Sequence, residues 1–242
     1  MPTPPDTPQR PHRPDPAALA AMPFLAGLAP EAVADIAAAG RTRRLARDEV
    51  LFAQDTPATA LHLILQGRLK VVRDTPEGER TTLRFLGPGE PAGVLALLGP
   101  ERRYPATAVA ATDLVLLSWE GAALRGVTAR HPTLAAAALG AMAGRTEEAH
   151  ARLHELGRDR VERRLALAVL RLLRQAGVRE TDGATRIDIP LGRQDLAEMA
   201  GTTLATTSRV LSAWEAAGIL AEGGRLKVVV RDHAALERIA AE

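Results

Sequence analysis

Residues 194–220, QDLAEMAGTTLATTSRVLSAWEAAGIL, carry the reading of this 242-residue chain. Leu196, Met199 and Ala200 recur at helical spacing before Gly201, and Val210, Leu211, Trp214 and Ala217 do so after it. Two short amphipathic helices joined at a glycine have the proportions of a helix-turn-helix. Opposite the apolar stripe of the second helix, Ala205, Ser208, Arg209 and Ser212 stand at i, i+3, i+4 and i+7 and share one exposed face. A DNA major groove would receive that face. Arg209 has the strongest physical claim, because a planar guanidinium can donate twice to O6 and N7 of one guanine. The competing reading is a solvated helix arginine, or one that touches only phosphate. Thr202 or Thr203 is placed to cap the second helix, leaving neighbouring N–H groups free to meet a phosphate.

Downstream, GILAEGGRLKVVV (218–230) reads as a two-stranded hairpin turning at Gly223 and Gly224, the wing of a winged helix-turn-helix. Upstream, Arg160 to Gln175 reads as a helix. Before it the Ala- and Leu-rich stretch after Pro132 forms one long helix, interrupted at Gly157 and Asp159. Leu139, Met142, Thr146, Ala149, Leu153 and Leu156 step by three and four along it. That spacing fits the seam of a parallel homodimer, and it also fits a single stripe facing the chain's own core. Between Arg41 and Trp119 the short runs VLFA, LHLILQ, RLKVVR, TTLRFL, ATAVAA and DLVLLSW alternate with Pro- and Gly-rich punctuation, including the turn at Thr75 to Gly78. Such close spacing predicts an antiparallel roll. Ala17 to Ala39 is helical in pattern, and the Pro-rich residues 1–16 are predicted to be a disordered tail.

The expected fold is therefore α+β, in four parts: the tail 1–16, an N-terminal antiparallel β-roll with helices over 17–131, a dimerisation helix over 132–158, and a winged helix-turn-helix over 159–242. A 46% apolar composition is enough for a sizeable core. The absence of cysteine excludes disulfides, thiolate zinc sites and cysteine-held iron–sulfur clusters. Neither a signal peptide nor a long apolar run occurs, so no membrane is expected as a partner and the cytoplasm is the expected compartment. The formal charge is only +2, so any footprint on nucleic acid must be local. An enzyme is not expected: paired-histidine metal motifs, phosphate-cradling glycine loops and nucleophile elbows are all missing, and Glu147 and Glu148 read as a solvated helix face.

The order of roll, long helix, hinge and winged helix-turn-helix, together with GRLKVVRDTPEGE (67–79), FLGPGEPAG (85–93), IPLGRQDLAEMAG (189–201) and TTSRVLSAWEAAGIL (206–220), resembles the CRP/FNR family of bacterial transcription regulators over roughly residues 20–235. RYPATAVAATD (103–113) is similar to the FNR/DNR-like branch that answers to oxygen or nitrogen oxides. The resemblance implies a homodimer on double-stranded, pseudo-palindromic DNA, RNA polymerase as a further partner and an activator role. It places Ser208 and Arg209 at base-reading positions, Arg193 and Thr206 at phosphate-contacting ones, and Arg225 on the wing. Where most members carry a glutamate that accepts from a cytosine amino group, this chain has Ala205, preceded by Leu204, so the usual half-site does not carry over. Alanine can offer only apolar contact, as to a thymine methyl.

The effector signatures also depart. Members that hold cyclic AMP use a Gly-Glu pair, an Arg-Ser pair and a Thr-Ser pair, and the matching residues here are Gly93 and Val94, Tyr104 and Pro105, Ala149 and His150. Val, Tyr and Pro cannot replace the hydration of a cyclic phosphate or a ribose hydroxyl, so cyclic AMP is not expected. Haem remains a candidate cofactor, with His150 on the long helix and His62 in the roll as candidate iron ligands and the six residues above as the candidate effector pocket. A second function class is a haem- or ligand-sensing module that works through protein contacts and reads DNA only degenerately.

Overall fold

The computed structural model describes residues 14–75, 80–99, 101–221 and 227–241. The tail as far as residue 13, the tip of the Thr75–Gly78 turn, the Gly223–Gly224 turn and Arg225 lie outside the described residues.

Two helices, α1 (Pro16–Ala20) and α2 (Pro30–Ala39), precede the roll. The strands of the roll are β1 (Arg41–Leu45), β2 (Val50–Phe52), β3 (Ala60–Gln66), β4 (Leu69–Asp74), β5 (Arg80–Leu86), β6 (Pro91–Ala92), β7 (Thr107–Ala110) and β8 (Leu114–Glu120), with a 3₁₀ turn at Val94–Leu98. They form two four-stranded sheets, ordered β1-β8-β3-β6 and β2-β7-β4-β5, in which neighbours pair antiparallel. The expected roll is thus present.

Burial explains the sequence texture. Ile64, Leu69, Leu86, Ala108, Ala110, Leu114 and Leu116 close the space between the sheets. Leu61, Leu63, Leu117 and Trp119 cover the other face of the first sheet with Leu19, Leu25, Val33 and Ile36 and the helices that follow the roll. Strand β3 is buried on both faces, which is why ALHLILQ reads as a continuous apolar run without alternation. Trp119 Nε1 donates to the Ile36 carbonyl at 2.8 Å, anchoring α2 to the sheet.

After α3 (Gly121–Arg130) comes the 27-residue helix α4 (Pro132–Arg158), then α5 (Val161–Ala176). Gly157 lies inside α4, and the chain leaves helical geometry at Asp159, whose backbone is extended. The expected interruption therefore sits at Asp159 alone. A glycine costs a helix about 1 kcal/mol, too little to stop one that is held from outside. Leu139, Leu153 and Leu156 of the stripe are exposed, whereas Met142 packs against the core shared by the roll and its helices.

The C-terminal part adds β9 (Gly177–Arg179), β10 (Thr185–Ile187), α6 (Arg193–Met199), α7 (Leu204–Ala216), β11 (Val229–Val230) and α8 (His233–Ala241). Its core joins Leu165, Val169 and Leu173 of α5 to Leu196, Leu211, Trp214, Leu220 and Leu236. The wing differs in detail from a lone hairpin: β11 pairs with β10 in a three-stranded sheet ordered β11-β10-β9, and Leu220 adds an antiparallel bridge to Val230. Phe85 and Ala111 of the roll belong to this same core.

Candidate nucleic-acid interface

Helices α6 and α7 cross at a turn through Gly201, which has a left-handed φ of +59°. Leu196, Met199, Leu211 and Trp214 are buried beneath them, while Leu204, Ala205, Arg209 and Ser212 are exposed on α7. Ser208 is half-buried. Thr203 caps α7, its hydroxyl oxygen accepting from Thr206 N at 3.2 Å and its O–H lying 3.0 Å from Thr206 Oγ1. Of the two threonines expected to cap, Thr203 does so and Thr202 does not.

Among the described residues Arg209 makes no hydrogen bond or ion pair, so its fork is free. Arg193 is different. Its Nη2 lies 3.1 Å from Glu215 Oε1, and Nη1 donates to the Ser208 carbonyl at 3.3 Å and to Ser212 Oγ at 3.4 Å. It braces α6 against α7, a duty invisible at a spacing of 22 residues. Any phosphate contact by Arg193 has to share the guanidinium with Glu215.

The motif is tied to the rest of the protomer at both ends of α6. Asp195, at its start, accepts from Gly192 N at 2.9 Å and Thr82 Oγ1 at 3.0 Å and pairs with Lys70 on β4. Glu198 accepts from Thr82 N at 2.6 Å. At the other end Arg164 donates from Nε to the Ala200 carbonyl at 2.8 Å and from Nη2 to the Gly201 carbonyl at 3.2 Å.

The roll holds the second candidate region. Gly93, at a φ of +74°, packs against Tyr104: a Cβ added there would lie 3.4 Å from Tyr104 Cε1 and would overlap the Ala60 carbonyl. Val94 and Tyr104 are buried, and the phenol ring stacks on Phe52 with centroids 3.9 Å apart. The Tyr104 hydroxyl accepts from Ala60 N at 3.1 Å and donates to Ala60 O at 3.0 Å. Tyr104→Phe keeps the ring and leaves both groups without this partner. At about 1–3 kcal/mol for unmet buried groups, the variant is expected to unfold a few degrees lower in a calorimetric scan. An unchanged midpoint would deny the hydroxyl its role.

Ala149 and His150 are exposed, whereas Val94 and Tyr104 are buried. Along the helix, Ala137, Gly140, Ala141, Gly144, Arg145 and Glu148 are among the residues that face the roll, and with Phe24, Arg84, Glu90 and Pro91 they bound a crevice of about 430 Å³. Arg84 lies 3.3 Å from Glu90 and 3.4 Å from Glu148, and burial beside Arg84 pushes the Arg145 guanidinium down to about 10. None of these charged residues was expected as a site. The signal available was a charged position, Arg145, directly flanking the apolar seam.

His62 is a core residue. It is 2% exposed, its ring stacks on Phe52, and Nδ1 sits 2.8 Å from Ser118 Oγ. Packed in this way it presents no open position to an iron, and His150 lies with His154 on an exposed helix surface rather than in a buried apolar pocket, so the residues present do not fit haem. Burial, reinforced by Arg43, lowers the His62 pKa from 6.5 to about 4. The unfolded chain therefore binds the extra proton first. Stability is complete above pH 6.5 and falls as the pH drops toward 4, by about 3 kcal/mol in all. Urea titrations at stepped pH check this, and His62→Gln should flatten the dependence. A wild-type curve flat between those limits would contradict it.

Two family models match, the cyclic nucleotide-binding domain over residues 42–131 and the Crp-like helix-turn-helix domain over 163–239. The cyclic AMP receptor protein of Thermus thermophilus is 35% identical over 219 residues, covering 90% of this chain and 96% of its own. The chain belongs to the CRP/FNR family of transcription regulators. The nitrogen fixation regulation protein FixK of Azorhizobium caulinodans is 28% identical over 84% of this chain and 81% of its own. Among solved structures, a CRP-family transcriptional regulator from Thermus thermophilus superposes with a TM-score of 0.69 at 26% identity, covering 83% of this chain and 97% of that one. This family member therefore carries a DNA-binding helix-turn-helix behind a cyclic-nucleotide-binding-like roll. No described helix is long and apolar enough to cross a membrane.

Proposed function

We propose that this CRP/FNR regulator works as a homodimer on a pseudo-palindromic operator. Residues 17–131 sense, 132–158 dimerise and 159–242 bind DNA. The observation that carries the reading is Arg209 on the exposed face of α7, without a hydrogen bond or ion pair among the described residues, next to Ser208 and one turn after Ala205. Arg209 reads a guanine, and Ser208 contacts base or backbone. Leu204 and Ala205 offer apolar surface to a thymine methyl, and Thr202, Thr203, Thr206, Arg193 and Arg225 fix register on the phosphates. Exposed Leu139, Leu153 and Leu156 on α4 support pairing of two long helices. Cytoplasmic DNA and RNA polymerase are the partners, with activation as the outcome.

The roll gates the reader through an effector that binds one hinge state more tightly than the other. Cyclic AMP is a poor fit for that effector, because Tyr104 fills the space beside Gly93 and Val94 offers no acceptor. The crevice between β5 and α4 is where a small ligand would touch both roll and long helix. Binding to a random-sequence duplex, followed by fluorescence anisotropy at increasing salt, gives a first test. Affinity should fall linearly on logarithmic axes with a slope of about −0.9 for each phosphate neutralised. Binding that ignores salt would remove the DNA reading.

A further inference from the structure

The turn of the helix-turn-helix rests on the end of the long helix. A Cβ added at Gly201 would overlap Leu156 Cδ2, so the turn and the last full turn of α4 are in van der Waals contact. Leu156 is nonetheless 47% exposed, which leaves its other side open along the apolar stripe of α4. Arg164, in the first turn of α5, joins the same place from across the helix break. Its Nη1 donates to the Asp159 carbonyl at 2.7 Å, while Nε and Nη2 hold the carbonyls of Ala200 and Gly201. One guanidinium thus bridges the break and the turn.

We infer that Leu156 and Arg164 are positioning residues that set how far each recognition helix stands from the two-fold axis, and hence the half-site spacing the dimer accepts. The inference rests on the dimeric, DNA-reading function proposed above. Its physical basis is direct. Two recognition helices must lie about 34 Å apart, one turn of DNA, to enter successive major grooves together. A side chain on the pairing stripe that also touches the turn before α7 fixes half of that distance through a single contact. Arg164 adds the angle, because its planar fork holds two successive carbonyls of the turn in one orientation relative to Asp159.

The test uses the full chain and a set of palindromic duplexes that differ only in the number of base pairs between half-sites. For Arg164→Gln, the preference of the wild type for its best spacing over neighbouring spacings should fall about tenfold, the scale of a hydrogen bond from a charged group. Arg164→Lys, which keeps the charge without the fork, should fall between the two. Leu156→Ala should change the ranking as well. The Leu156→Ala and Arg164→Gln effects should be less than additive, since both act on one turn. The melting midpoint and the dimer mass of each variant separate this from lost folding or lost pairing. Folded, dimeric variants that weaken at every spacing equally, or that keep the wild-type ranking, overturn the inference while leaving DNA binding intact. A wild type that binds no palindrome overturns the DNA reading, and the inference with it.

Discussion

Arg209→Ala is expected to abolish selection of a palindromic operator while leaving the fold intact. The side chain is exposed and has no partner among the described residues, so its removal opens no cavity and strands no buried group. Each bidentate contact to guanine is worth about 1–3 kcal/mol, and a two-fold dimer makes two, so the specific complex should weaken by about 30-fold or much more. Non-specific binding should change little, since it depends on phosphate contacts. Arg209→Lys separates fork from charge: a lysine restores attraction to phosphate but cannot donate twice in one plane. Anisotropy with the selected duplex and a scrambled control measures both. If Arg209→Ala discriminates the two duplexes as well as the wild type does, the arginine is only a solvated helix residue.

Leu153→Glu is expected to separate the protomers. Leu153 is 66% exposed and lies on the stripe with Leu139 and Leu156. In a parallel pair a seam residue meets its own counterpart, so one substitution places two carboxylates face to face and strips them of water. Desolvation of even one charge costs several kcal/mol, enough to dissolve a seam held by a few leucines. Sedimentation of the wild type should give twice the 25.7 kDa chain mass, and the variant should run as a single chain. Operator affinity should fall with it, because one half-site alone no longer benefits from its neighbour. A wild type that sediments as a monomer would remove the seam reading. A dimeric variant would move the interface elsewhere.

The parts of the fold visible in the sequence are those where burial imposes a period. Strands β3 and β8 and helices α5 and α7 each bury a continuous run or one stripe, and the apolar residues announce it. Strand β1, RTRRL, gave no such signal. It is an edge strand whose side chains mostly face solvent, and it is held by backbone pairing to β8. Strand β9, fully exposed at the edge of the wing sheet, was hidden for the same reason. On α7 the exposed face followed from spacing alone, since Ala205, Arg209 and Ser212 had to lie opposite Leu211 and Trp214.

Partnerships across the chain had no local trace. Arg193 reads as a free cation until Glu215 is seen beside it, and the Lys70–Asp195 pair spans 125 residues. Arg84 meets Glu148 and comes close to Arg145 only because α4 lies along β5. Substituted signature positions were legible as losses but not as replacements. Tyr104 could be seen to lack a guanidinium, yet only the fold puts its ring against Gly93 and its hydroxyl on Ala60.

Selection from a random duplex library followed by sequencing of the bound fraction tests the two-fold reader most directly. Enriched sequences should form a pseudo-palindrome with half-site centres about 34 Å apart. Each half-site should contain a guanine whose enrichment vanishes with Arg209→Ala, and the position read through Ala205 should tolerate bases other than a guanine–cytosine pair. Recovery of unpatterned sequence, or of a single half-site without its mate, would contradict a dimer that reads DNA through α7.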